Sequence, residues 1–261
     1  MRFLIHYRQV IVSVVMAFCL EAAACRADDG PKMQTLEVKG VKLRYYSEGT
    51  GPAVVLIHGL HSSARINWQV NQVFADLAKS HQVIALDLPG HGASDKPEDE
   101  AAYGTQMVED VVALMDHLKI DKAHVVGYSM GGMIALKLIV THPDRVLSGT
   151  LGGMGWLRDG SRLQQFWERM PVRDGARTPG ACSQSLGKLA VTEAELKAVK
   201  IPMAVFVGDR DPVKRLYVTP LQSVRNDWPV TEIPDAGHLN CIVKPEFRNG
   251  VTKWVEQQAK K

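Results

Sequence analysis

Cysteine is scarce in this chain, with four in 261 residues. Cys19 and Cys25 fall in an unusual first segment, so only Cys182 and Cys241 lie in the body of the sequence. In an oxidising compartment these two could form one bridge; the simpler reading is two separately buried thiols. Neither His-Glu-x-x-His nor Cys-x-x-Cys occurs, so no metal site and no cofactor is expected. No apolar run is long enough to cross a bilayer comfortably, and a stable transmembrane anchor is not expected. Gly152-Gly153-Met154-Gly155 lacks the Lys-Ser/Thr that would follow in a phosphate loop and reads as a hinge. Internal repeats and low-complexity segments are also missing.

The first segment accounts for most of the excess charge. Arg2, His6 and Arg8 precede an apolar run from Val10 to Leu20, and a patch of small residues then leads to Ala27. Basic, then apolar, then small is the order of a secretory signal. Residues 1–27 are therefore expected to be removed, with cleavage after Ala27 or Ala24 and residues 28–33 left as a linker. The protein would then be secreted or periplasmic. Ala24-Cys25 offers lipidation at Cys25 as a minor alternative. Cleavage after Ala27 lowers Lys+Arg from 31 to 28 and Asp+Glu from 28 to 27, so the net charge falls from +3 to +1. A chain so nearly neutral gives no sign of a nucleic-acid partner.

From residue 34 to 261 the pattern is that of one domain. Gln34–Lys39 and Val41–Ser47 alternate apolar and polar residues around Gly40, as an edge hairpin does. Ala53–Ile57 and Gln82–Leu86 are continuous apolar runs, typical of strands covered on both faces. Helical spacing is expected over Asn67–Lys79, Tyr103–Leu118 and Met133–His142, and again over Lys214–Arg225 and Pro245–Gln258. Further strands are expected at Ala123–Val126, Arg145–Thr150, Pro202–Val207 and Val230–Ile233. Alternation of this kind specifies an α/β fold: a mostly parallel, doubly wound, eight-stranded sheet flanked by helices. Residues 151–196 interrupt it with two short helix-like pieces and no buried strand. That stretch is expected to form a small helical cap inserted after strand 6.

The chain is organised around Gly127-Tyr128-Ser129-Met130-Gly131-Gly132, which sits between a predicted strand and a predicted helix. Gly-x-Ser-x-Gly in that setting is a nucleophile elbow: the serine stands clear of a sharp turn at the N-terminus of the next helix. A serine hydroxyl needs a base within hydrogen-bond reach, and the base needs an orienting carboxylate. His238, in Asp-Ala-Gly-His after the last strand, is the candidate base. Asp209 and Asp211 both follow the Pro202–Val207 strand and are both candidate acids. Two main-chain donors would complete the site, Met130 after the nucleophile and Leu60 in the loop after Ile57. His58 and Asp87 read as loop-fixing structure. His61 and Trp156 are the candidate substrate contacts, and Phe166 and Trp167 add bulky apolar surface on the cap.

Four motifs, HGLHSS (58–63), DLPGHGAS (87–94), GYSMGG (127–132) and DAGHL (235–239), with GDRDP (208–212), resemble the α/β-hydrolase superfamily in its capped Ser-Asp-His branch. The resemblance covers residues 34–258. It implies Ser129, Asp211 and His238 as the catalytic set, since family members usually place the acid three residues after the Gly. It implies a serine esterase acting on a small-molecule acyl ester through an acyl-Ser129 intermediate. Serine at the elbow disfavours dehalogenase or epoxide-hydrolase chemistry, which in this fold uses aspartate. C–C bond hydrolysis, acyl transfer and cofactor-free perhydrolysis use the same three residues and remain open. So does a ligand-binding protein built on a hydrolase scaffold.

Overall fold

A computed structural model describes residues 31–170 and 178–260. The expected signal segment, its cleavage sites and Cys25 lie outside the described residues, as do 171–177 of the expected cap. Residues 33–261 form one compact unit.

Eight strands make one sheet: β1 (Met33–Val38), β2 (Val41–Glu48), β3 (Ala53–Ile57), β4 (Gln82–Asp87), β5 (Ala123–Tyr128), β6 (Val146–Gly152), β7 (Met203–Gly208) and β8 (Val230–Ile233). Their spatial order is β1-β2-β4-β3-β5-β6-β7-β8. β1 pairs antiparallel with β2, and β2 antiparallel with β4; every other pairing is parallel. The chain runs outward from β3 to β4 on one side and continues at β5 on the other. The carboxyl ends of β3 and β5 therefore flank a topological switch point, where open α/β sheets bind ligands.

The apolar strands are buried because each face carries its own core. Val55 and Ile57 of β3 point into a cluster with the helices Thr105–His117 and Met130–Thr141. Val54 and Leu56 point the opposite way, against Val73, Phe74 and Leu77 of the helix Val73–Ala78 and Phe247, Val251 and Val255 of the helix Pro245–Gln258. The period-2 alternation of a strand produces this division.

Two expected helices are broken, for identifiable reasons. Asn67–Lys79 is not continuous: a wide turn at Arg65–Gln69 precedes a separate helix starting at Val73. Asn71 accepts a bond from the Val73 N–H at 3.1 Å and donates to the Ile242 carbonyl at 2.9 Å, and Gln72 takes φ +66°. Lys214–Arg225 likewise divides into a wide turn, Lys214–Val218, and a short helix, Thr219–Gln222. Pro220 has no N–H to continue the ladder.

The segment after β6 holds more helix than expected. Instead of two pieces, the described residues contain Arg162–Glu168, Gly180–Ser185, the 3₁₀ turn Leu186–Leu189 and Glu193–Ala198. Thr192 and Glu195 start the last of these with a reciprocal capping box, which satisfies two free N–H groups at once. Cys182 and Cys241 are both buried free thiols, and burial pushes each up to about 12, so neither is a nucleophile at neutral pH.

Three buried histidines tie stability to pH. Burial holds His58 down at about 4, His91 at about 3 with a contribution from His58, and His124 at about 4 with a contribution from His81. The unfolded chain protonates them first, so the stability they represent is present above pH ~6.5 and is lost as the pH falls toward 4. Asp110, raised to about 6 by burial, acts in the opposite sense over part of that range. Three groups against one predict a Tm that declines between pH 6.5 and 4, measurable by calorimetry; a Tm constant across that window would contradict it.

Candidate active site

The candidate residues follow the carboxyl ends of strands: Leu60 after β3, Ser129 and Met130 (the latter opening a helix) after β5, Asp211 after β7 and His238 after β8. Ser129 adopts φ +53° and ψ −118°, an uncommon conformation for a residue with a side chain. Its neighbours are glycines by necessity. A Cβ on Gly127 would stand 2.0 Å from the Gly131 carbonyl oxygen, and one on Gly131 would stand 2.1 Å from the Ile57 carbonyl oxygen. The turn is anchored by the Ser129 N–H donating to the Gly152 carbonyl at 2.8 Å.

The serine, histidine and aspartate converge. His238 Nε2 is 2.9 Å from Ser129 Oγ, and His238 Nδ1 is 2.8 Å from Asp211 Oδ2. Asp211 is buried, and its other oxygen accepts the Val213 N–H at 2.9 Å. A carboxylate so placed accepts from Nδ1–H, which leaves Nε2 free to accept the serine proton. Asp209, the other candidate, instead accepts the N–H groups of Ala236 at 3.0 Å and Asp235 at 3.1 Å. These bonds, the Ala236 one first, hold its carboxyl below the usual range. Asp209 braces the loop that carries His238.

A third contact on His238 has no signal in the sequence. Tyr128 donates its hydroxyl to the His238 carbonyl at 2.5 Å, and its ring lies 5.8 Å from the imidazole. Phe247 packs edge-on against Tyr128 at 5.6 Å. The closing helix therefore supports the elbow, and the elbow in turn supports the histidine loop.

The loop after β3 is fixed by buried side chains. Asn67 Oδ1 accepts the Gly59 N–H at 2.8 Å. His58 donates from Nδ1 to the Gly59 carbonyl at 2.8 Å, and its Nε2 accepts the Leu88 N–H at 3.1 Å. Asp87 takes the N–H of Ala64 at 2.8 Å and of Ala93 at 2.9 Å. His58 and Asp87 thus hold loops, as expected, and Asn67, expected to open a helix, lies in the wide turn and holds the same loop. A Cβ on Gly59 would lie 3.3 Å from the Ser129 Cβ, which brings this loop against the elbow. Among the described residues, neither the Leu60 nor the Met130 N–H has a hydrogen-bond acceptor.

His61 and Trp156 part company. His61 is exposed at φ +60° and lines a cavity of about 320 Å³ with Ser62, Ser63, Ile66 and Lys96. Trp156, the other candidate substrate contact, is 3% exposed, and its indole N–H donates to the Val191 carbonyl at 2.7 Å. Trp167, half-buried, donates to the Tyr217 hydroxyl at 3.1 Å. Among the described residues there is no group of three or more His, Cys, Asp or Glu suited to a metal ion.

A strand–elbow–helix serine facing a histidine and a buried aspartate defines a serine-hydrolase type of site on a doubly wound sheet. The sequence profile of the alpha/beta hydrolase fold family matches residues 52–192, and the chain belongs to that family. It is 41% identical over 154 residues, 57% of its length, to the dihydrolipoyllysine-residue acetyltransferase component of an acetoin cleaving system from Pseudomonas putida. It is 38% identical over 109 residues, 41% of its length, to a 2-hydroxymuconate semialdehyde hydrolase from Pseudomonas sp. (strain CF600). The aligned segments span 40% and 38% of those two relatives, less than half of their own length. Among solved structures, a membrane phospholipase A covers 97% of this chain and is itself fully covered, with a TM-score of 0.69 and 23% identity. Est816, an N-acyl homoserine lactone degrading enzyme, covers 85% of the chain and is fully covered, with a TM-score of 0.67 and 26% identity. At such identity the phospholipase likeness speaks for the fold alone.

The two carboxylates can be told apart without any substrate. The strongly deshielded Nδ1 proton resonance of His238 is expected to vanish in Asp211→Asn and to persist in Asp209→Asn. Loss of that resonance in the Asp209 variant alone would reverse the assignment.

Proposed function

We propose that the protein is a carboxylester hydrolase in which Ser129 is the nucleophile, His238 the general base and acid, and Asp211 the orienting carboxylate. The observation that carries this reading is the hydrogen-bonded chain from Ser129 Oγ through His238 to Asp211, 2.9 Å and 2.8 Å long. His238 removes the serine proton as Oγ attacks the ester carbonyl. The imidazolium that forms is stabilised by Asp211. Charge on the tetrahedral oxygen is met by the N–H groups of Leu60 and Met130, and loss of one such donor costs about 10²–10³ in rate. Collapse expels the alcohol, which takes its proton from His238. Water, activated by the same imidazole, then releases the acid from acyl-Ser129. His61, one residue after Leu60, is kept as a candidate substrate contact, and the cavity it lines holds none of Ser129, His238, Leu60 or Met130.

C–C bond hydrolysis is the second reading, favoured by the likeness to 2-hydroxymuconate semialdehyde hydrolase. Both readings use the same three residues and differ in the bond presented to them. An ester panel run beside ring-cleavage diketones, with products identified, separates them. For the ester reading, p-nitrophenyl acetate is expected to give a burst approaching one equivalent of nitrophenolate. Ser129→Ala should abolish the burst while retaining the native Tm, and Asp211→Asn should lower kcat by roughly 10³–10⁴. Wild-type turnover by Ser129→Ala would sink the assignment.

A further inference from the structure

Large apolar side chains left in solvent are unevenly distributed. Among the described residues eight are exposed: Met33, Ile66, Val70, Leu147, Phe166, Leu216, Leu239 and Val243. All but Met33 and Leu147 lie on segments that leave the carboxyl ends of strands, the end of the sheet where Ser129 stands. They form two rims. Leu239, 89% exposed, follows His238 directly, and Val243 lies in the same turn. Val70 is beside Asn71, whose side chain donates to the carbonyl of Ile242 at 2.9 Å, so the segments that carry Val70 and Val243 are joined. Ile66, one helical turn before Val70, lines the cavity that also contains His61. On the other rim the segments that carry Phe166 and Leu216 are joined by the 3.1 Å bond between Trp167 and Tyr217.

Single exposed apolar residues need no explanation; patches of roughly a few hundred Å² beside a functional site do. Cations border these rims. Arg65 precedes Ile66, Arg215 precedes Leu216 and Lys244 follows Val243, and none of the three forms an ion pair among the described residues. Apolar side chains edged by unpaired cations match a surface that is apolar within and anionic at its head groups.

We propose that this end of the molecule seats on an anionic lipid surface, and that the ester reaching Ser129 is an amphiphile drawn from that surface. The identity of what is cleaved rests on the hydrolase reading above; the binding itself does not. Leu239, Val70 and Val243 enter the lipid, with Arg65, Arg215 and Lys244 at the level of the phosphates. Contact at this end brings an acyl chain to the histidine side of the elbow without a long diffusion through water.

The test separates binding from chemistry. Full-length Ser129→Ala protein is floated with vesicles of phosphatidylcholine containing phosphatidylglycerol, and with vesicles of phosphatidylcholine alone. Binding to the anionic vesicles is expected, weakened by salt, and reduced at least about tenfold by Leu239→Asp and by Val70→Asp combined with Val243→Asp. A Leu239→Asp/Val70→Asp/Val243→Asp variant measures what the N-terminal apolar run binds by itself, and that background is subtracted from every protein. With Ser129 intact, the parent is expected to speed up when a longer ester passes its micellar threshold, and the Val70→Asp/Val243→Asp variant should keep its turnover of soluble p-nitrophenyl acetate and lose that increase. Absence of binding, equal binding by parent and variants, or a parent whose exposed patch sediments as a dimer instead would overturn the proposal. Vesicle binding without any acylation of Ser129 would remove the esterase reading and leave the surface in place.

Discussion

The site depends on one backbone constraint: Ser129 is held at φ +53°, where a side chain is disfavoured and can persist only if its surroundings over-determine it. They do so by contact. Gly131 lies so close to the Ile57 carbonyl that a single methyl group would part the elbow from β3. Gly127 meets the Gly131 carbonyl with the same lack of room. Strand, turn and helix are thereby locked together, and the hydroxyl has one place to go. The Ser129 N–H on the Gly152 carbonyl joins β6 to the same lock and ties the start of the post-β6 segment to the nucleophile.

Around the elbow, buried polar groups set loops rather than perform chemistry. Asp87 and His58 each bond two backbone groups, and Asn67 holds the Gly59 N–H, so the loop after β3 is fixed by the chain's own side chains. Asp209 does the same for the histidine loop from the opposite side. Burial keeps His58 neutral, at about 4, and neutrality is what lets its Nε2 accept the Leu88 N–H. In the proposed reaction, loops fixed in this way would hold their N–H donors toward the developing charge with little reorganisation.

Much of this was legible in the sequence because it is local. Apolar runs such as Ala53–Ile57 need no partner to be recognised as buried strands, and the elbow carries its glycines within six residues. The last strand and the closing helix fall where periodicity placed them. Contacts between distant segments were not legible. Tyr128 meets the carbonyl of His238 across 110 positions, and Asn71 meets Ile242 across 171. Neither leaves a spacing to detect. Asn71 and Gln72 break a helix whose apolar pattern looks continuous, and no spacing shows that the Trp156 indole bonds the Val191 carbonyl. Between Asp209 and Asp211 the residues alone leave both open, because both follow the same strand; the resemblance selects Asp211, and the coordinates place it on His238.

The central claim is that folding makes one hydroxyl nucleophilic, and a fluorophosphonate probe reads that directly. On the folded protein, with the modified peptide mapped by mass spectrometry, the account predicts a single adduct on Ser129 that is absent after unfolding and absent in Asp211→Asn on the same timescale. A folded protein that carries no adduct, or carries it on another residue, would contradict it.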